Sequence, residues 1–188
     1  MLIALLAVTI LVTIPIVGGD LSTLSRLRLR QAWLVAAALA VQIIIISVLA
    51  NPPPALSRTL HIATYLTVAV FLILNRRIPY LWLVAVGGAA NLVVIAANNG
   101  VMPASAAALR TAGRTISTGF NNSTTVNHPH LSYLGDIFAT PKQIPLANVF
   151  SLGDIIILTG LTLLVATVSR TPAINATDLG PQADPDHS

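Results

Sequence analysis

Asn148-Val-Phe-Ser-Leu-Gly-Asp154-Ile-Ile-Ile-Leu158 is the stretch on which the reading of this chain turns. An acid, Asp154, stands at the mouth of an apolar run that continues to Val168. In hydrocarbon a carboxylate is expensive, so it must be solvated, capped, paired or used. Ser151-Leu-Gly-Asp154 fits one structural solution, the capping box. The serine hydroxyl accepts from the third helical N–H, and the acid at that third position reaches back to the serine N–H. The carboxylate then also lies near the positive end of the helix dipole. The functional alternative sets the same carboxylate against a wet cavity, where it binds or protonates a ligand.

A near copy, Leu134-Gly-Asp136-Ile137, lies eighteen residues earlier. Asp136 has no serine three positions before it, so capping explains it less well. The repeat predicts two similar entrances of the chain into a membrane from the same side. Two carboxylates sharing one cavity would hold a proton between them, as aspartic proteases require.

The surrounding composition supports a membrane setting. The chain has 188 residues, 55% apolar and 9% charged, with a mean hydropathy of +0.82, well beyond a soluble domain's balance. There is no glutamate, and the acids are Asp20, Asp136, Asp154, Asp178, Asp184 and Asp186. With no cysteine, a disulfide framework, a thiolate metal site and a thiol nucleophile are excluded. A net charge of +4, with the arginines gathered beside apolar runs, signals topology and not nucleic-acid binding.

About 20 apolar residues in a helix cross roughly 30 Å of hydrocarbon. Five stretches qualify: residues 1–17, 32–50, 56–74, 79–97 and 149–168. The fold expected is therefore all-α, a polytopic bundle of about five transmembrane helices with a long external loop. The first stretch lacks a positive leading region and a small-residue cleavage site, and reads as a retained helix. Arg26, Arg28 and Arg30 follow it, Arg76 and Arg77 follow the third stretch, and Arg170 follows the fifth. The positive-inside rule then puts the N-terminus outside and the C-terminus in the cytoplasm, in a bacterial inner membrane. Residues 171–188, rich in proline and aspartate, read as a disordered cytoplasmic tail.

The connections have local character. Asn51-Pro-Pro-Pro54 predicts a stiff non-helical outer turn. Residues 21–30 set Leu21, Leu24 and Leu27 on one helical face and arginines on the other, as a surface helix would. Asp20 caps that helix. Residues 98–147 form an external loop too long for a simple connector. It begins with the turn cluster Asn98-Asn-Gly-Val-Met-Pro103, followed by a short helix over residues 104–112 closed by Gly113. Residues 115–127 are polar and read as mobile. Residues 131–138 are apolar again and predict a partly re-entrant segment, within a loop that folds back over the bundle.

Ligand-binding candidates are Asp154 and Asp136, with Asn98, Asn99 and Met102 at the fourth stretch's exit. The two asparagines also suit helix capping. Gln42, Asn91 and His61 read as partners in hydrogen bonds across helices. Gly87-Gly88-Ala89-Ala90 and Gly160 read as close helix packing. His128-Pro-His130 lacks a third and fourth ligand for zinc, so no metal is expected. No sequence signature calls for a cofactor.

Gly18-Gly19-Asp20, Asn98-Asn-Gly-Val-Met-Pro103, Leu134-Gly-Asp136 and Phe150-Ser-Leu-Gly-Asp154-Ile together resemble the landmarks of an uncharacterised multi-pass membrane-protein family of actinobacteria and firmicutes. The resemblance runs over about residues 1–170, and implies the multi-span fold without an activity. Asn148-Val-Phe-Ser-Leu-Gly-Asp154 also partly resembles the last-helix motif of lipoprotein signal peptidase, a membrane aspartyl protease. Gly87-Gly-Ala-Ala-Asn91-Leu92 resembles the stretch before that enzyme's other aspartate, but no Asp-Arg pair follows, so Asp136 would have to serve.

The expectation is a non-enzymatic membrane component: a partner subunit, or a binder of a lipid or small molecule at the outer surface. Its partners are the lipid bilayer and another membrane protein or a lipid, and not nucleic acid. The alternatives are an aspartyl membrane hydrolase using Asp136 and Asp154, and a small transporter.

Overall fold

Apolar runs of this length bury their backbone hydrogen bonds as helices, and the chain does so. In a computed structural model, the described residues are 14, 16, 27–44, 53–114, 123–144 and 147–170. Four longer helices carry the fold: α1 (Trp33–Ile43), α2 (Pro54–Leu74), α3 (Leu81–Ala97) and α5 (Leu152–Arg170). A short helix α4 (Ala106–Thr111) lies between α3 and α5. With it come four two-residue strands: β1 (Met102–Pro103), β2 (Ser123–Thr124), β3 (Phe138–Ala139) and β4 (Val149–Phe150).

The protein is mainly helical, as expected. One described helix, α5, is long and apolar enough to cross a membrane; Trp33–Ile43, Arg58–Leu74 and Leu81–Ala97 are shorter apolar segments. The stretch over 1–17 lies outside the described residues, apart from the helical Ile14 and Ile16. So do Asp20, most of the expected surface helix, residues 115–122 and the tail over 171–188. Leu27 to Leu29, the last part of that surface helix, are not helical.

Helix α2 starts earlier than expected. Pro54 is its first residue, because N–H groups of the first turn have no helical acceptor and proline's lack of one costs nothing there. At its other end Asn75 is buried and joins two connections. Its Nδ2 donates to Arg30 O at 2.9 Å and to Phe71 O at 2.8 Å. Its Oδ1 accepts from Arg30 N–H at 2.8 Å.

Helices α3 and α5 pack closest. The buried face of α5 includes Gly153, Ile157, Gly160 and Leu164, at helical spacing. A Cβ on Gly153 would collide with Asn91 Oδ1 and Gly87 O, and one on Gly160 would meet Leu83 Cβ at 2.8 Å. Small residues let two backbones approach and gain dispersion contact. Gly87 serves this contact as expected, but a Cβ on Gly88 would meet nothing within 4 Å, so Gly88 is not part of it.

The described residues between α3 and α5 include a cap that packs on the end of α3. Pro103 lies in β1 and not in the following helix; Ser105 caps α4, its Oγ accepting from Ala108 N–H at 3.0 Å. Strand β1 pairs in parallel with β2, and β3 pairs antiparallel with β4. Ser123 and Thr124, expected to be mobile, thus lie in a strand. The apolar segment over 131–138 is a 3₁₀ turn (Ser132–Leu134) running into a bridge and β3. Leu131 and Leu134 pack on a core of Val94, Ile95 and Met102, together with Tyr65 of α2. This cap seals onto α3 through side chains spread from Met102 to Leu134 in the sequence.

Burial is inverted in one respect. Trp33, Leu66, Ile73, Trp82, Val93 and Leu163 are exposed, whereas His61, Thr64, Asn91, Asn98, Asp136 and Ser151 are buried.

Candidate functional site

The site is built where α3 ends and α5 begins. Ser151 is the residue before α5 and is fully buried. Its Oγ accepts from Asp154 N–H at 3.1 Å, and its N–H donates to Asp154 Oδ2 at 3.0 Å. This is the reciprocal capping box the sequence predicts, satisfying two donors at the helix start.

Asn91 completes the arrangement from α3. Its Nδ2 donates to Asp154 Oδ1 at 2.9 Å, and its Oδ1 accepts from Ser151 Oγ–H at 2.9 Å. Asp154, Ser151 and Asn91 therefore form a closed ring of hydrogen bonds. Each carboxylate oxygen of Asp154 has a protein donor, and Asn91 is 3% exposed. Bonds to an ionised acceptor are shorter and stronger than neutral ones. In a buried setting, removing one partner costs the other's full desolvation.

Asp136 reaches the same end by another route. It is 3% exposed, and its main chain is held: Asp136 N–H donates to Pro103 O at 2.9 Å, and Ser105 N–H donates to Asp136 O at 3.0 Å. It sits in a bridge with Ala104, not at a helix start. The two Leu-Gly-Asp copies are alike in sequence and unlike in structure, which corrects the expectation of two equivalent membrane entrances. Tyr65 lies within electrostatic reach of both Asp154 and Asp136.

The other expected site residues separate. Asn98 is buried and spoken for: Nδ2 donates to Val94 O and His130 O, both at 2.8 Å, while Oδ1 accepts from His130 N–H at 2.9 Å. It closes α3 and pins the cap, and these bonds use both hydrogens of its amide. Asn99 is exposed, with φ of 59°. Met102 is buried in the Val94 and Ile95 core. His128 and His130 are exposed, and among the described residues no group of three acids or histidines is placed to hold a metal.

Sequence reasoning missed Tyr65 as a neighbour of the two acids, and it read Asn91 without its partner. Its expectation of hydrogen bonds across helices holds for Gln42, whose Nε2 contacts His61 Nδ1 at 2.9 Å and donates to Thr64 Oγ1 at 2.6 Å. The His61 ring meets the Tyr65 ring edge-on, with centroids 5.4 Å apart. Polar side chains thus run from α1 through α2 towards the acids at the α3–α5 junction.

The sequence profile of DUF5317, a family of unknown function, matches residues 26–166, about three quarters of the chain. No curated protein and no solved structure matches it.

Proposed function

The chain belongs to DUF5317, a family of unknown function, and on that premise we propose that it is a non-enzymatic, multi-pass component of a bacterial inner membrane. Five crossings place the N-terminus and the cap outside and the tail over 171–188 in the cytoplasm. The protein acts as a partner subunit or as a holder of a lipid or small molecule at the outer rim. Asp154 and Asp136 remain the acids nearest that rim, whereas Asn98 and Met102 are taken up by the cap's own bonds and packing and drop out of the site.

The observation that carries this reading is the inverted burial. Large apolar side chains on all four longer helices are exposed, Ile73 at 65% and Trp82 at 61% among them, while amides, hydroxyls and an acid are inside. In water, contiguous exposed apolar faces of this extent associate. In lipid they are the stable surface, and polar groups move inward to pair.

The non-enzymatic part rests on Asp154. An aspartyl hydrolase needs two carboxylates about 3 Å apart sharing a proton. Both oxygens of Asp154 already accept from Asn91 and Ser151, which favours a positioning role over a chemical one.

Reporter fusions after Arg30 and within residues 121–127 test the crossing pattern. They are expected in opposite compartments, and finding both in one compartment sinks it. Gentle extraction from native membrane, followed by mass spectrometry of what travels with the protein, tests the partner. The partner is expected to be retained by Asp20→Asn and weakened by Asp154→Asn at equal abundance.

A further inference from the structure

The end of the bundle away from the cap carries a concentration of charge that the site above does not use. Arg28, Arg30, Arg76, Arg77 and Arg170 are all exposed. They come from three separate parts of the chain, and the fold gathers them. Asn75 locks the Arg30 main chain to the end of α2, directly before Arg76 and Arg77. Ile78 N–H donates to Asn75 O at 2.9 Å, tightening that turn. Leu27, Ile78 and Val168 pack on one core with Phe71, Leu72, Leu81 and Leu164, which brings Arg170 to the same end. The two described acids, Asp136 and Asp154, are at the opposite end. Both tryptophans, Trp33 and Trp82, are exposed beside this collar, where amphipathic rings settle at a headgroup boundary.

A topology signal needs only positive loops. It does not need the Arg30 main chain to be clasped by a buried asparagine beside Arg76 and Arg77. From this arrangement we propose that the arginine collar is a binding site for an anionic phospholipid whose headgroup carries two phosphates, of the cardiolipin class. Arg28 and Arg30 on one side of Asn75, and Arg76 and Arg77 on the other, supply two guanidinium groups per phosphate, and guanidinium matches phosphate oxygens in a bidentate fashion. The clasp holds the main chain of Arg30 beside the residue that precedes Arg76 and Arg77, and Arg170 adds charge from α5. The inference rests on the membrane reading above and adds a specific lipid at the cytoplasmic side.

The test uses the full chain in a neutral detergent, titrated with cardiolipin, phosphatidylglycerol or inorganic pyrophosphate and read by native mass spectrometry. Cardiolipin is expected to bind more tightly than phosphatidylglycerol, and pyrophosphate weakly. Arg30→Gln with Arg77→Gln should lower cardiolipin affinity about thirtyfold, roughly fivefold for each basic residue at a lipid surface (~1 kcal/mol). The clasp survives these changes because Arg30 enters it through main-chain atoms alone. Arg110→Gln with Lys142→Gln, at the cap end, should leave the affinity unchanged.

Equal losses from the two pairs, no preference for cardiolipin, or pyrophosphate binding as tightly as the lipid would each overturn the proposal. So would binding that emerges only after Asp178, Asp184 and Asp186 are changed to Asn, because the acidic tail would then be the collar's occupant. Release of the protein from native membranes by alkaline washing would instead overturn the membrane reading itself, whatever the titration gives.

Discussion

Leu134-Gly-Asp136 and Leu152-Gly-Asp154 carry the same three residues into different structures. The second opens α5, with Asp154 as its third residue and Ser151 before it. The first leaves a 3₁₀ turn and runs into a bridge with Ala104. The neighbours decide. Ser151 offers a hydroxyl to a helix N–H, whereas the equivalent position is Tyr133, whose side chain is exposed. After Asp154 come Ile155, Ile156, Ile157 and Leu158, which continue a helix; after Asp136, Pro141 arrives within five residues and ends any such run. The glycines agree more closely than the acids do. A Cβ on Gly153 would strike Asn91 and Gly87 O, and one on Gly135 would strike Pro103 O. In both copies glycine admits a neighbouring backbone, and the acid after it is held by what that neighbour offers.

The largest effect expected is at Gly153. Gly153→Val should destabilise by about 3 kcal/mol or more, because the new atoms meet main chain and a hydrogen-bonded amide that cannot move aside. Unfolding followed in mild detergent would measure it. A near-neutral Gly153→Val would mean that α3 and α5 are not in the close contact described. Gly135→Val should also destabilise, but less. It loosens the Pro103–Asp136 contact in the cap and leaves the α3–α5 pair intact, so the helical signal should persist.

Next is the ring at Asp154. Asp154→Ala should destabilise by about 2 kcal/mol, from a lost cap and a stranded Asn91 amide. Asn91→Ala should cost a similar amount. The double variant should be less destabilised than the sum of the two by about 1 kcal/mol, since both changes break one ring. Strict additivity would sever α3 from the capping box and leave Asp154 as a local cap.

Much of this is legible in the residues. Hydropathy marks as helical the stretches in which α1, α2, α3 and α5 lie, and the Ser151–Asp154 spacing names the cap correctly. The Asn91–Asp154 bond is not legible, because 63 residues separate its members and no local rule pairs them. Gly87 and Gly88 look equivalent in sequence; only the side of α3 on which α5 packs selects one of them. The cap is the least readable region. Its strands are two residues long, set by contacts with α3 and α4 and not by alternation, so residues 131–138 look like a membrane segment when read alone. Asn98 reads as a ligand donor because its amide looks free in sequence, yet the main chain of His130 consumes it.

The smallest effect expected tests the neighbour argument directly. Tyr133→Ser gives the first copy the hydroxyl it lacks, at the same distance before Asp136 that separates Ser151 from Asp154, so that the first copy would match the capping box in sequence. If the box alone nucleated a helix, the helical circular dichroism signal would rise. We expect no rise, and a stability change within about 0.5 kcal/mol, as for an exposed side chain away from special features. A first helical turn fixes several residues for one hydrogen bond, and only propagation offsets that. Pro141 denies the propagation. The main-chain bonds of Asp136 to Pro103 and Ser105, at 2.9 and 3.0 Å, would also have to break. A gain in helix from this one hydroxyl would show that the local motif outweighs its surroundings, and the contrast between the two copies would then rest on residue 133 alone.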